Sequence, residues 1–299
     1  MTADVAISPW LSRHAGRQFA ATPAAEVTGG SVHRCTRWHG AGGDAFVKLA
    51  AADCLDAFEA EAAGLQALAE AGALRVPAVL AVGEAGGHAL LALEWLELEP
   101  AVVSDGTVQA QLGERLALQH RVTAPRCGWH RDNTLGATPQ LNAWDDDWVR
   151  FFRERRLGVQ LELAARNGFG TRGVERGREL GERCGAFFAS CRPVPSLLHG
   201  DLWGGNWGVV AGSREPAIFD PAVYYGDRET DMAMTRLFGG FGPRFYAAYQ
   251  ATWPLDQAAG TRRTLYNLYH VLNHFNLFGG GYGRQAEGMI DRLLAESGA

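Results

Sequence analysis

The sequence predicts an α+β fold of two lobes, a small β-rich N-terminal lobe over residues 1–96 and a mainly helical C-terminal lobe over residues 97–299. Three observations predict it. Strand-like apolar runs separated by glycine turns crowd the chain as far as Glu94. The pattern then changes to helical or irregular within Leu93-Glu94-Trp95-Leu96-Glu97-Leu98-Glu99-Pro100. Beyond that point apolar residues recur at helical spacing. With 299 residues and 47% apolar content, the chain can bury a sizeable core as one large domain or two lobes.

In the first lobe, Thr28-Gly29-Gly30-Ser31 leads into a strand over residues 32–38, and a turn carrying Gly40, Gly42, Gly43 and Asp44 leads into another over 45–49. Two short strands joined by glycines make a hairpin able to fold over an anion such as phosphate, with amide donors from Gly29, Gly30 and Ser31. The triplet alone also fits a plain turn. Lys48 lies on the second strand, either as a phosphate-facing cation or as an edge lysine that discourages strand aggregation. Leu55, Phe58, Ala62, Leu65, Leu68 and Ala69 then recur with a helical period, with Asp53 as the expected N-cap and the end before Gly72. On a helix turning about 100° per residue, Glu61 falls between Leu65 and Leu68, inside the apolar arc, and Glu59 falls outside it. A carboxylate on a buried face needs a cation, so Glu61, rather than Glu59, is expected to pair with Lys48. Strands over 78–82 and 88–94 flank a turn at 83–87. The connecting segment that follows offers backbone groups of Glu94 and Leu96 to a base such as adenine, with side-chain identity mattering little.

The second lobe opens with a helix over 107–122, in which Val108, Leu112, Leu116 and His120 share a face; His120 reads as a satisfied core histidine. Another begins in Trp144-Asp145-Asp146-Asp147-Trp148, where acidic residues suit the positive helix end and serve as caps rather than as a metal cluster. A core helix over 177–190 carries Leu180 and Phe187-Phe188, and Pro193 and Pro195 follow it. Gly279-Gly280-Gly281 reads as a mobile turn near the C-terminus.

Leu197-Leu198 enter His199-Gly200-Asp201-Leu202-Trp203-Gly204-Gly205-Asn206, and an apolar run then leads to Asp220 in Ile218-Phe219-Asp220-Pro221. An Asp behind a His, an Asn shortly after, and a second Asp beyond a strand-like run have the spacing of a phosphotransferase catalytic loop. Asp201 is expected to accept the proton of an attacking hydroxyl, and Asn206 and Asp220 to hold Mg²⁺ that bridges the phosphates of ATP. Lys48, steadied by Glu61, is expected to pair with the α/β-phosphates. Phosphoryl transfer needs little covalent chemistry from a protein, which supplies positioning and charge neutralisation. A Gly-rich turn of capping residues would explain 199–206 alone, but it requires neither Asp220 nor the N-terminal pair. ATP and Mg²⁺ are the expected cofactors.

The net charge is −5 with both signs interspersed, so neither a nucleic-acid footprint nor a polybasic membrane patch is expected. No apolar run reaches the roughly 18 residues of a membrane span. Residues 1–20 lack a basic segment followed by an apolar core, so no secretory signal is expected. Cys35, Cys54, Cys127, Cys184 and Cys191 form no CxxC and read as reduced thiols in a cytoplasmic protein.

Taken together, these segments resemble the fructosamine-3-kinase, or ketosamine-3-kinase, family, which has a protein kinase-like fold. The resemblance covers nearly the whole chain. It includes Gly29-Gly30, Phe46-Val47-Lys48, Phe58-Glu59-Ala60-Glu61 and Arg75-Val76-Pro77. It continues through Gly128-Trp129-His130-Arg131-Asp132-Asn133, Pro139-Gln140-Leu141-Asn142, Asp147-Trp148 and Arg155-Arg156-Leu157. The C-terminal match takes in 197–206, Phe219-Asp220-Pro221-Ala222, Tyr225-Gly226-Asp227-Arg228-Glu229, Leu237-Phe238-Gly239-Gly240-Phe241 and Leu272-Asn273-His274-Phe275-Asn276. The tract around Trp203 and the later Phe-Gly-Gly-Phe segment separate this family from aminoglycoside and choline kinases. The resemblance implies ATP-dependent phosphorylation of the sugar 3-hydroxyl of a ketoamine, on a small amine or a glycated protein lysine, after which the unstable adduct decomposes. It implies that Asp201 is the base, that Asn206 and Asp220 are metal ligands, and that Lys48 with Glu61 fixes the phosphates. His199 braces the loop, and Glu229 and Asp231 tie the loops together. Trp203 and His274 are implied for the sugar pocket, where an indole covers a sugar face and an imidazole bonds hydroxyls, unless they only pack beneath the loop.

One departure bears on regulation. Many eukaryotic members carry a Cys in the Gly-rich loop associated with redox-controlled dimerisation; the matching position here is Ser31, and Cys35 lies beyond it. A monomer or weak dimer is expected. The alternative readings are a phosphotransferase for an aminoglycoside, choline or another small alcohol, and an ATP-binding pseudokinase, whose usual loss of the base, the lysine or a metal ligand is not seen.

Overall fold

The computed structural model describes residues 3–27, 33–100 and 105–298. Gly29, Gly30 and Ser31, expected to cradle phosphate, lie outside the described residues.

An antiparallel five-stranded sheet forms the N-terminal part. Its spatial order is β1 (Ala25–Val27), β2 (Arg34–Trp38), β3 (Ala45–Ala51), β5 (His88–Glu94) and β4 (Val79–Ala85). Helices α1 (Ala3–His14) and α2 (Leu55–Ala71) pack against it. The alternation of strand side chains sorts the two faces. Ala45 and Val47 of β3 and Leu90 and Ala92 of β5 join Ile7 and Leu11 of α1 in one cluster, whereas Ala89, Leu91 and Leu93 join Phe58, Leu65 and Leu68 of α2 in another. That parity sends Lys48 to the α2 face. Lys48 stands opposite Cys35 on one side and Leu91 on the other, so it is not an edge lysine. Asp53 is not the N-cap of α2. A 3-10 turn over Ala52–Cys54 intervenes, its own backbone bond from Leu55 to Ala52 satisfies the amide, and no side chain caps the helix.

The segment after the hinge, read as helical or irregular, holds a strand, β6 (Leu98–Pro100). Its partner is remote in sequence: β6 pairs with β10 (Trp207–Val210), which pairs with β11 (Pro216–Ile218). A hairpin of β7 (Asn133–Leu135) and β8 (Thr138–Gln140), and the pair of β9 (Pro195–Leu198) with β12 (Tyr224–Asp227), complete the sheets among the described residues.

The rest is helical: α3 (Gly106–His120), α4 (Trp148–Phe152), α5 (Val159–Arg166), α6 (Thr171–Arg183), α7 (Glu229–Leu237), α8 (Pro243–Thr252), α9 (Ala259–Phe278) and α10 (Gly281–Ser297). Asp105 caps α3, accepting from the amides of Thr107 and Val108. The three aspartates before α4 are structural: Asp147 caps the Arg150 amide, Asp145 accepts from Asp147 and Arg150, and Asp146 pairs with Arg126. The helix expected over 177–190 begins at Thr171 and passes at Cys184 into a 3-10 turn. Its N-cap, Gly170, has no capping side chain to signal the start. Between α4 and α5 the residues Arg153–Gly158 form a π-helical turn that buries Arg156. The Arg156 guanidinium lies over the rings of Phe151 and Tyr224 and donates to Leu141 and Asn142. No helix among the described residues is long and apolar enough to cross a membrane.

Candidate active site

The loop after β9 is anchored from below by one buried carboxylate. Asp231, in the first turn of α7, accepts from the amides of His199 at 2.7 Å and Gly200 at 2.9 Å. Burial opposes the ionisation of Asp231, but the hydrogen bond from His120 and those backbone donors hold its carboxyl below the usual range. His120 is the satisfied core histidine expected. Its Nε2–H donates to Asp231 Oδ2 at 3.1 Å, the Tyr249 hydroxyl donates to its Nδ1 at 2.8 Å, and Arg228 donates to that hydroxyl. Burial pushes the pKa of His120 down, toward the neutral ring these bonds require.

His199 braces the loop from within. Its Nε2–H donates to the Phe219 carbonyl at 3.0 Å, and its Nδ1 accepts from the Asp201 amide at 3.2 Å, so the ring joins the loop to the segment carrying Asp220. Gly200 has φ +84, and a Cβ there would stand 2.0 Å from the Ala222 carbonyl oxygen. Only glycine passes this point, and the close approach brings Asp201 and Asp220 together.

Lys48 Nζ lies 2.8 Å from Glu61 Oε1 and 2.6 Å from Asp220 Oδ1. Burial works against the charge of Lys48, but the two carboxylates outweigh it and hold its pKa above the usual lysine value. Glu59 turns outward to Arg131 at 3.5 Å, so the helix phase selects Glu61. The Asn206 amide nitrogen donates to the Asp201 carbonyl at 2.9 Å and to Asp201 Oδ2 at 3.2 Å, which leaves its oxygen as a donor for a cation. Asp220 sits in the left-handed region, φ +55, a conformation that aspartate tolerates better than most residues. Burial, and then the charge of Asp220, push the Asp201 carboxyl up to about 7, against the Asn206 hydrogen bond. The Asp220 carboxylate and the Asn206 amide oxygen are hard ligands of the kind suited to Mg²⁺. Among the described residues there is no cluster of three or more His, Cys, Asp or Glu that could hold a metal ion.

Two adjoining cavities meet at these residues. A polar one of ≈ 130 Å³ is lined by His33, Lys48, Glu61, Asp201, Asn206 and Asp220. A larger, mainly apolar cleft of ≈ 470 Å³ runs under the hinge, past Phe46, Leu93, Glu94, Leu96 and Phe219. Trp203 borders both. The Glu94 amide is already committed to the Ala78 carbonyl, so only its carbonyl remains for a base, whereas Leu96 lies outside both ladders. The Glu94 side chain also matters, contrary to expectation: it accepts from Arg75 at 2.5 Å and from the Ala78 amide at 3.1 Å, clamping the hinge. His274 lines neither cavity. It stands behind Phe238, whose ring is 4.7 Å from His274 and 6.4 Å from Trp203. Its Nδ1–H donates to the His270 carbonyl, and burial lowers its pKa, so Nε2 is an acceptor. Several lining residues were missed, among them His33, Cys35 and, from the β7–β8 hairpin, Thr134 and Gly136. His33 lies three residues after Gly30 in the sequence, close to the glycines expected to meet phosphate. Cys35 is buried on β2 and faces the apolar cleft; only its strand parity with Lys48 hinted at this. Cys54, Cys127, Cys184 and Cys191 are free thiols.

A family model described as fructosamine kinase matches residues 3–296. The chain belongs to the fructosamine kinase family. This fructosamine kinase family member is 42% identical to a probable ketoamine kinase of Synechocystis sp. over 96% of this chain and 97% of that one. It is 39% identical to the chloroplastic protein-ribulosamine 3-kinase of Arabidopsis thaliana, over 96% of this chain and 87% of that one. A solved structure from Haemophilus somnus, assigned as a fructosamine-3-kinase, superimposes with a TM-score of 0.86 at 28% identity, covering 97% of both chains. Aminoglycoside phosphotransferase APH(4)-Ia, solved with ADP and hygromycin B, shares the protein kinase-like fold alone, with a TM-score of 0.68 at 15% identity over 98% of this chain and 99% of that one. The family member is thus a kinase that uses ATP.

Proposed function

We propose that this protein transfers the terminal phosphate of ATP to the 3-hydroxyl of a ketoamine, a fructosamine or ribulosamine carried by a small amine or a protein lysine, and so initiates deglycation. The observation that carries the reading is Asp201 held beside Asn206, Asp220 and Lys48 in a chain that matches the fructosamine kinase family over residues 3–296. Residues 1–96 act as the ATP-binding lobe and 97–299 as the catalytic and acceptor lobe.

The adenine enters the apolar cleft toward the Glu94 carbonyl and Leu96, and Lys48, fixed by Glu61, meets the phosphates. The acceptor hydroxyl gives its proton to Asp201 as its oxygen bonds the terminal phosphorus and the bond to ADP breaks. A carboxyl pushed up to about 7 is a better proton acceptor than an ordinary aspartate, as a base working near neutral pH needs to be. Asn206 and Asp220 would hold Mg²⁺, which neutralises phosphate charge when bound. Trp203 covers the sugar face, and His274 Nε2 accepts from a sugar hydroxyl. The free thiols of Cys54, Cys127, Cys184 and Cys191 support a reducing compartment, here taken as the cytoplasm.

The test is ADP release in the presence of a ribulosamine, a fructosamine, choline or kanamycin. Turnover of the ketoamines alone is expected. Faster turnover of choline or kanamycin would reassign the acceptor, and ATP binding without any turnover would make the chain a pseudokinase.

A further inference from the structure

We infer that the exposed rings of Phe238 and Phe278, on either side of His274, form a subsite for the hydrocarbon arm of the amine that carries the sugar. This rests on the ketoamine reading above. A ketoamine has two arms at its nitrogen. With the sugar at Trp203 and its hydroxyl at Asp201, the other arm needs a way out of the site, and a line of rings marks one. Phe238 stands edge-on to Trp203 with centroids 6.4 Å apart, and His274 follows at 4.7 Å. Phe278 and Tyr282 follow at 5.6 and 5.2 Å from His274.

Two rings of the row are exposed, on either side of a half-buried His274. Phe238 is 40% exposed and Phe278 68%, and no other large apolar side chain among the described residues is as exposed as Phe278. Single exposed apolar residues are ordinary, but a contiguous row that starts at a reactive carboxyl is the pattern of a binding surface. A second contact joins the end of α9 to the site. Gly136 lines the polar cavity, and a Cβ on it would meet Leu277 Cδ1 at 3.4 Å, so the helix turn that presents His274 and Phe278 borders the compartment of Asp201 directly. His274 and Phe278 are four residues apart on one helical face. Of the two charges nearest the row in sequence, Arg236 is turned away over the Tyr246 ring at 3.6 Å, and Arg284, two residues beyond Tyr282, is exposed at the far end of the row. The row therefore suits methylene groups, such as those of a lysine side chain, rather than a charged tail.

The test is a series of adducts of one sugar with methylamine, n-propylamine and n-hexylamine, with kcat/KM measured at saturating ATP. Wild type is expected to favour the longer arms by about two- to fourfold per methylene until the rings are covered. In Phe278→Ser the hexyl-to-methyl ratio is expected to fall by about fivefold or more. A ratio of two substrates on one enzyme cancels any loss of folded protein. Equal ratios in the two proteins, or a flat series in wild type, overturn the subsite while leaving the kinase reading intact. An unchanged ratio accompanied by lost self-association assigns the ring to a second copy and likewise overturns it. No turnover of any adduct overturns the acceptor reading, and the subsite with it.

Discussion

Lys48 and Asp220 are 172 positions apart in the sequence and meet at 2.6 Å. That contact closes the β-sheet lysine onto the segment after the catalytic loop, and Glu61 on the far side of the ammonium stops the lysine from being held by Asp220 alone. The ammonium that lines the polar cavity is therefore already oriented by two carboxylates.

Replacing Asp220 separates metal from base. Asp220→Ala removes one hard oxygen ligand and one partner of Lys48 together. The gain in nucleotide affinity that Mg²⁺ confers on wild type is expected to shrink by about tenfold or more, the loss typical of a hydrogen bond to a charged group. Nucleotide titrations with and without Mg²⁺ read this directly. An unchanged Mg²⁺ effect would remove Asp220 from the ligand set.

Asp201 is expected to trade stability for catalysis. Asp201→Asn retains ATP binding but loses about 10²- to 10⁴-fold in turnover, the usual contribution of a general base. The carboxyl titrates about 7 in the fold against an ordinary 3.8, so folding favours its protonated form. The stability it contributes is present below pH 3.8 and is lost as the pH rises through about 7. Without nucleotide or metal, Asp201→Asn should melt above wild type near pH ~8, with the gap narrowing near pH ~5. Thermal melts across that range check the sign, and a wild type that melts higher at the alkaline end would contradict it.

Gly200 and Gly212 share φ +84 but not their surroundings. A Cβ at Gly200 would lie 2.0 Å from the Ala222 carbonyl oxygen, whereas one at Gly212 meets nothing within 4 Å. Gly212→Ala is expected to cost about 1–2 kcal/mol, from backbone strain alone. Gly200→Ala adds an overlap that must push Ala222 away, for about 3 kcal/mol or more together with lost activity. Denaturant melts of the two variants settle whether the close approach matters.

Trp203→Ala and His274→Ala test the acceptor pocket. Each is expected to lower kcat/KM for a ketoamine by roughly five- to 150-fold, from about 1–3 kcal/mol of lost contact, with ATP affinity nearly constant. Both variants must first melt near wild type, because Trp203 also packs against Gly205 and Phe238. Folded variants with unchanged ketoamine kinetics would leave these rings as packing.

The sequence by itself determined the residues whose meaning lies in local spacing. Asp201, Asn206 and Asp220 stand out by their order along the chain, and Glu61 is separated from Glu59 because helical phase is a local property. His120 was legible as a core residue from its place on the apolar face of α3. Tertiary structure alone decided what depends on distant partners. β6 exists because β10 completes its ladder, and nothing in Leu98-Glu99-Pro100 announces that pairing. The commitment of the Glu94 amide to Ala78 and of its carboxylate to Arg75 is set by how the hinge folds back on the chain. The row from Trp203 through Phe238 to His274 is assembled from a loop, a helix end and another helix, so no periodicity in the sequence encodes it. Backbone geometry fixes which residues share a face within an element, but which faces meet is settled only when burial brings the elements together.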